Sequence, residues 1–218
     1  MSRVTEAIQE VKRYLNEYNV KDVNFHQILY QLNQAQGNIA MQEDVIEATV
    51  TITLVSGVSQ YSFIYGGSEE TKQDIIKRVK SIQYPDTWNH PVFPVDQEYD
   101  EIVSTNPELS YVQYIIIRNK KVEFYGTPGD ADDGETVTLQ CFLIKPTADA
   151  TDSAVDPVDF QVPEYFDTAM HYYAASQLLP IESPGRDKLY ALYQKELNEK
   201  AGVYNHKHNY VRSSKPNW

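Results

Sequence analysis

The sequence predicts an α+β fold: a helical bundle formed by N- and C-terminal helices, an inserted antiparallel β domain, and an extended C-terminal arm. Three observations predict it. Apolar residues recur at three- and four-residue spacing near both ends of the chain, as an amphipathic helix requires. From about residue 47 the period changes to two, which is the strand period. After Val203 neither period is present. The expected divisions are 1–45 for a helical hairpin, 46–150 for the β insertion, 151–203 for the C-terminal helices and 204–218 for the arm. A chain of 218 residues is long enough to bury a real core as one domain with an insertion.

The first helix covers residues 2–18, where Val4, Ala7, Ile8, Val11, Tyr14, Leu15 and Tyr18 fall on one stripe, with Ser2 or Thr5 as its cap. Residues 19–24 read as a turn. A second helix follows, with Phe25, Ile28, Leu29, Leu32, Ala35 and Ile39 on one face and Asn24 as cap. Two helices so closely joined are expected to form an antiparallel hairpin.

In the middle of the chain, Ala48, Val50, Ile52 and Leu54 alternate mainly with threonines, as in a half-buried strand that Gly57 ends. Residues 61–65 make a second strand, stopped by Gly66 and Gly67. Residues 73–82 fit either a helix or the start of a strand. Residues 92–95 contain Pro94, which lacks a ladder donor and confines the segment to an edge. Residues 97–104 read as a helical turn. Three strands follow, over residues 111–117, 121–125 and 135–144, with a tight turn at 118–120 and a longer loop at 126–134.

A polar linker, residues 147–159, leads to a helix opened by Val162 or Pro163. It carries Phe166, Ala169, Met170, Tyr173, Ala174 and Leu178, and the small Ala174 and Ala175 permit close helix approach. After a break at 180–185 the stripe resumes with Leu189, Leu192, Tyr193 and Leu197. The final stretch, 204–218, holds Lys207, Arg212 and Lys215 and no acid. With these three of the 19 basic residues removed, 16 face 31 acidic ones in the body. An acidic body therefore carries a basic arm with Tyr204, Tyr210 and Trp218 along it. Such an arm has no periodic apolar face, so it is expected to gain structure on a partner. An assembly protein is the expectation that follows.

Composition narrows the classes further. A net charge of −12 and a pI near 4.8 repel a nucleic acid backbone. Duplex DNA could pass such a surface, but the surface would not grip it. No apolar run is long enough for a membrane span. The charged N-terminus lacks the apolar core of a signal peptide, and the single Cys141 excludes an internal disulfide, as expected for synthesis in a reducing host cytoplasm. Seventeen tyrosines are an excess that interfaces favour, since the side chain joins apolar area to a polar tip.

Motifs for chemistry fail on spacing. Asp130, Asp132 and Asp133 precede Gly134, but this glycine comes one position early for a calcium loop, and the twelfth position is Cys141. An acidic hairpin loop is expected. His206 and His208 lack a neighbouring Cys or Asp, His26, His90 and His171 are dispersed, and Cys141 in an apolar strand reads as a buried thiol. No phosphate loop, nucleophile elbow or zinc-protease helix occurs. No enzymatic activity, cofactor or metal is expected.

The order of five segments resembles the head–tail adaptor (connector or neck) proteins of tailed bacteriophages. Residues 25–35, Phe-His-Gln-Ile-Leu-Tyr-Gln-Leu-Asn-Gln-Ala, are similar to that family's apolar helix ending in Asn-x-Ala. Residues 60–63, Gln-Tyr-Ser-Phe, stand where the family leads into a strand; the family's proline after the tyrosine is absent, and Gly66-Gly67 stands instead. The hairpin 114–128 and the strand 135–146 each end in proline. Residues 162–175, Val-Pro-Glu-Tyr-Phe-Asp-Thr-Ala-Met-His-Tyr-Tyr-Ala-Ala, match a proline-opened helix with a Tyr-Ala-Ala core. The resemblance implies a structural virion protein of the neck, assembled as a ring of usually twelve copies under the portal protein. Such a ring extends the DNA channel and offers a platform for tail or nozzle proteins, and double-stranded DNA passes through it without specific binding. It also implies that the arm reaches the portal. Tyr204, His206, His208, Tyr210, Arg212, Lys215 and Trp218 are the expected contact residues, the aromatics as anchors and the cations paired with portal acids. Two further readings remain: another virion ring component, such as a tail completion or tail-tube protein, and a carbohydrate-binding module.

Overall fold

The computed structural model describes residues 2–62, 76–86, 88, 92–95, 112, 114–118, 121–146, 148–153 and 157–208. The chain divides into two compact units, residues 1–45 with 148–218, and residues 46–147. Among the described residues the fold is α+β, as the sequence predicts.

The helical unit holds four helices: α1 (Arg3–Glu17), α2 (Phe25–Gln42), α3 (Asp167–Leu178) and α4 (Pro184–His208). Ser2 caps α1, its Oγ accepting from the Thr5 amide. Asn24 and Gln27 form a reciprocal capping box on α2, each side chain accepting the other's amide at 2.9 Å. Asn19 between the two helices adopts φ 58°, a left-handed value that asparagine tolerates. Val4, Ala7, Ile8, Val11 and Leu15 of α1 are buried, as are Ile28, Leu32, Ala35 and Ile39 of α2. The expected α1–α2 hairpin is wedged apart: each helix touches α3 more extensively than it touches the other. Three residues of α3, Ala169, Ala174 and Ala175, are buried with no bulk beyond a methyl group, so neighbouring backbones come close. Gly185 at the start of α4 serves the same end, because a Cβ there would overlap the Tyr18 ring.

The polar linker expected over residues 147–159 is, in its described part, bound into this unit together with the residues up to 162. Asn33 on α2 brackets Ala150, its Nδ2 donating to the carbonyl at 3.2 Å and its Oδ1 accepting from the amide at 2.9 Å. Gln36, also on α2 and wholly buried, accepts from the Gln161 amide at 2.8 Å and donates to Asn33 at 2.9 Å. Arg3 on α1 grips Asp167 with two guanidinium nitrogens and donates to the carbonyls of Phe160 (3.0 Å) and Val162 (2.7 Å). Phe160 and Val162 are themselves buried. A short 3-10 turn, Glu164–Phe166, then leads into α3.

The β unit contains two sheets. In the first, β1 (Glu47–Thr53) and β3 (Ile76–Gln83) flank a central β7 (Thr136–Leu143), all antiparallel. Strand β1 buries every second residue, the alternation expected. The ambiguous segment resolves as a strand, β3, which pairs with β7 through two register irregularities. In the second sheet the order is β2 (Gln60–Ser62), β6 (Lys121–Tyr125), β5 (Tyr114–Arg118) and β4 (Phe93–Val95). Pro94 lies in an edge strand, as its missing donor demands. The β4–β5 pair is parallel, the exception in an otherwise antiparallel unit. Residues 63–65, 97–104 and the turn positions 119 and 120, for which a strand end, a helical turn and a hairpin turn are expected, lie outside the described residues.

Replacing Gln36 by Leu keeps the volume but removes the acceptor for the Gln161 amide and the donor to Asn33. A buried amide left without a partner costs about 1–3 kcal/mol. The urea midpoint of the helical circular-dichroism signal is expected to fall accordingly. Gly185→Ala is expected to destabilise by about 1–3 kcal/mol through overlap with Tyr18, in the same assay.

Candidate functional site

The arm expected to meet a partner grows from α4. Leu189, Tyr193, Leu197 and Ala201 recur at intervals of four and are all buried. Tyr193 is the best anchored of them. Its ring meets Tyr173 edge-on at 5.2 Å and Tyr190 at 5.6 Å, and its hydroxyl accepts from Gln42 Nε2 of α2 at 3.3 Å. Burial pushes this phenol up to about 12. Further along, Lys200 places its ammonium 4.6 Å above the Tyr165 ring. Part of the tyrosine excess thus belongs to helix packing, which composition alone did not reveal.

The helix does not stop at Val203. It continues to His208, so Tyr204, His206 and His208 belong to its last turns and not to an extended arm. The physical reason is the absence of a breaker. No proline occurs from residue 185 to residue 215, and the single Gly202 costs only about 1 kcal/mol in a helix already nucleated by its buried stripe. The remaining expected contacts, Tyr210, Arg212, Lys215 and Trp218, lie outside the described residues.

The other motifs have structural roles. Asp130 and Asp133 accept from the Ser56 hydroxyl (2.6 Å) and amide (3.0 Å). Asp132 accepts from the Gly129 amide and from Trp88 Nε1, both at 2.8 Å. These carboxylates fold a loop against Gly57, whose φ of 77° and amide bond to the Pro128 carbonyl form a turn suited to glycine. Cys141 is buried on the central strand β7, and desolvation pushes its thiol up to about 12, which leaves no thiolate for nucleophilic chemistry at neutral pH. Among the described residues no cluster of three or more His, Cys, Asp or Glu side chains could hold a metal. No described helix is long and apolar enough to cross a membrane.

A chain whose ionisable groups serve packing, and whose C-terminal helix leads into a basic tail, has the character of an assembly component. The family model of the SU10 adaptor proteins matches residues 2–214. This chain belongs to that family. It is a phage adaptor protein, a structural component of the virion that joins other virion proteins. No curated protein matches it. The family match runs through both units and ends at residue 214, before Lys215 and Trp218.

One half-buried histidine is expected to make the adaptor's helical unit sensitive to acid. His171 of α3 has a buried Nε2 with no hydrogen-bond partner among the described residues. Desolvation lowers its pKa below the ordinary histidine value; Asp167 and Glu10 oppose this in part, and Arg3 and Arg13 reinforce it. The folded state therefore prefers the neutral ring, while the unfolded chain takes a proton near pH 6.5. The resulting stability is complete above that pH and is lost as pH falls below it. The melting temperature of the wild type is expected to drop between about pH 6.5 and 5.5 more than that of His171→Leu, measured by circular dichroism at matched ionic strength.

Proposed function

We propose that this adaptor assembles as a ring beneath the portal of the phage capsid, extends the DNA channel and presents a platform to the tail. The family match over residues 2–214 carries this reading. The net charge of −12 supports it, since an acidic channel wall lets a polyanionic duplex slide without binding it. The ring would hold twelve copies, placing the protein in the neck of the virion.

The portal contact would come from the C-terminal stretch. Residues 204–208 form the end of α4, which gives the arm a rigid base tied to the bundle at Leu189, Tyr193, Leu197 and Ala201. Beyond it, Tyr210 and Trp218 would seat in portal pockets, and Arg212 and Lys215 would pair with portal carboxylates. Tyr204, His206 and His208 would line the base of the same contact. Repetition around a ring multiplies individually modest contacts by avidity. A β-dominated tail-tube protein is the less suitable alternative, given four helices among the described residues.

Mass photometry of the purified chain with the portal protein from the same genome tests this. The expected result is a mass gain of about one chain per portal subunit. Removal of residues 204–218 is expected to abolish the gain while leaving the circular-dichroism melt intact, because it keeps all of the described buried stripe of α4, Leu189, Tyr193, Leu197 and Ala201. The double variant Arg212→Glu/Lys215→Glu is expected to weaken portal binding by about tenfold or more. Unchanged portal binding by the truncated chain would remove the arm from this role.

A further inference from the structure

The β unit leaves one sheet edge with its backbone groups unused. Strand β1 lies at the edge of the three-stranded sheet and, among the described residues, pairs with β7 alone. The ladder fixes which groups face outward. The Leu54 amide donates to the Glu135 carbonyl, and the Leu143 amide donates to the Ile46 carbonyl, both at 2.8 Å. The even-numbered residues of β1 therefore turn their backbone groups to β7, and Thr49, Thr51 and Thr53 turn theirs away. Among the described residues no donor or acceptor meets those outward groups. The three threonines are also exposed. Val55, next in the same series, does have a partner: its amide donates to the Tyr61 hydroxyl at 2.9 Å.

Exposed edges are ordinarily blunted by charge, proline, irregular register or shortness. The other edge of the same sheet, β3, has Lys77, Arg78 and Lys80 and two register irregularities. The edge strand β4 carries Pro94. Strand β1 has none of these devices. Residues 48–68 contain no Asp, Glu, Lys, Arg or Pro, and the β1–β7 register runs unbroken from Glu47 to Thr53. An edge left open in this way suits an added strand.

Unpaired amides and carbonyls at strand spacing are the complement of an extended peptide, not of a helix, a nucleic acid or a membrane. What the chain itself offers narrows the source. The β1 of a second copy would pair with it symmetrically, which closes a dimer and builds no ring. The β3 and β4 of a second copy are blunted as above, and its β2 has three described residues. The portal contact proposed above uses the arm, which belongs to the helical unit, whereas β1 belongs to the other unit. We propose that the outward edge of β1, Glu47–Thr53, takes up an extended segment of the tail protein as an additional strand. This rests on the ring reading above and gives its tail platform a chemical form. The segment is free of acid, because Glu47 stands at one end of the edge and Asp130 and Asp133 hold Ser56 beyond the other. Its side chains opposite the threonines are β-branched or aromatic, the types that pair well across strands.

The placement of Thr51 separates edge pairing from folding. Its N–H makes no bond to β7, so Thr51→Pro removes an outward donor and no ladder bond. Thr51→Val keeps the donor and changes only the side chain. Each variant is mixed with the portal protein and then with the tail protein from the same genome, and uptake is read by mass photometry beside wild type. Thr51→Pro is expected to need at least about a tenfold higher concentration of tail protein, with portal binding and the circular-dichroism melt retained. Thr51→Val is expected to match wild type. Hydrogen–deuterium exchange on the wild-type assembly gives a second readout that needs no variant. Uptake of the tail protein is expected to slow exchange at the Thr49, Thr51 and Thr53 amides by about a hundredfold or more, with little change at Val50 and Ile52, which already bond to β7. Uptake without that slowing overturns this inference and leaves the ring reading standing, as does a portal-bound ring that takes up no tail protein. Slowing on portal binding alone overturns it in favour of an occupant from the portal or the neighbouring copy. A chain that never binds the portal overturns both readings.

Discussion

Everything in the helical unit depends on how α1 and α2 hold the chain as it returns from the β unit. The described residues of 148–162 have no regular secondary structure beyond an isolated bridge between Thr151 and Val158. Their backbone groups must therefore find partners elsewhere or stay in water. Gln36 and Asn33 of α2 and Arg3 of α1 supply those partners. The Arg3–Asp167 pair is largely shielded, with 14% and 25% of the two side chains exposed, and it ties α1 directly to the first turn of α3. Arg3 also lies 5.4 Å from the Phe160 ring. A buried charge is tolerated when its donors are used, and here the guanidinium meets a carboxylate and two carbonyls. This clamp allows a chain interrupted by about a hundred residues to form one helical unit.

The β unit meets the same requirement differently. Its polar loop residues bond to one another and to a small aromatic cluster. Tyr61 turns its hydroxyl onto the backbone of residues 55 and 58, and its ring meets Phe124 edge-on at 5.3 Å. Trp88 lies 6.3 Å from Phe124, stacks on Tyr84 at 6.0 Å and donates to Asp132. Aspartates that look available for a cation in the sequence are acceptors for internal donors in the fold.

Charge distribution links structure to assembly. The acidic body disfavours contact with nucleic acid and with other copies of itself, while the basic tail favours contact with acidic partners.

The α+β class, the caps at Ser2 and Asn24, the alternation of β1 and the edge position of Pro94 could all be read from the sequence. Each is a local rule, set by a side chain's own hydrogen bond, period or missing donor. The adaptor resemblance was legible for a related reason: the order of segments survives in one dimension. The tertiary structure alone decided what depends on distant neighbours. Residues 76–83 became a strand because β7 offered them a ladder, where their own spacing allowed a helix as well. Residues 148–162 became part of the bundle because Asn33 and Gln36, more than a hundred positions away, hold them there. α4 runs to His208, beyond the point where periodicity fades, since a helix nucleated by Leu189 and Tyr193 propagates through sequence that holds no proline. Periodicity records which residues face a core, and the tertiary structure determines which core they face.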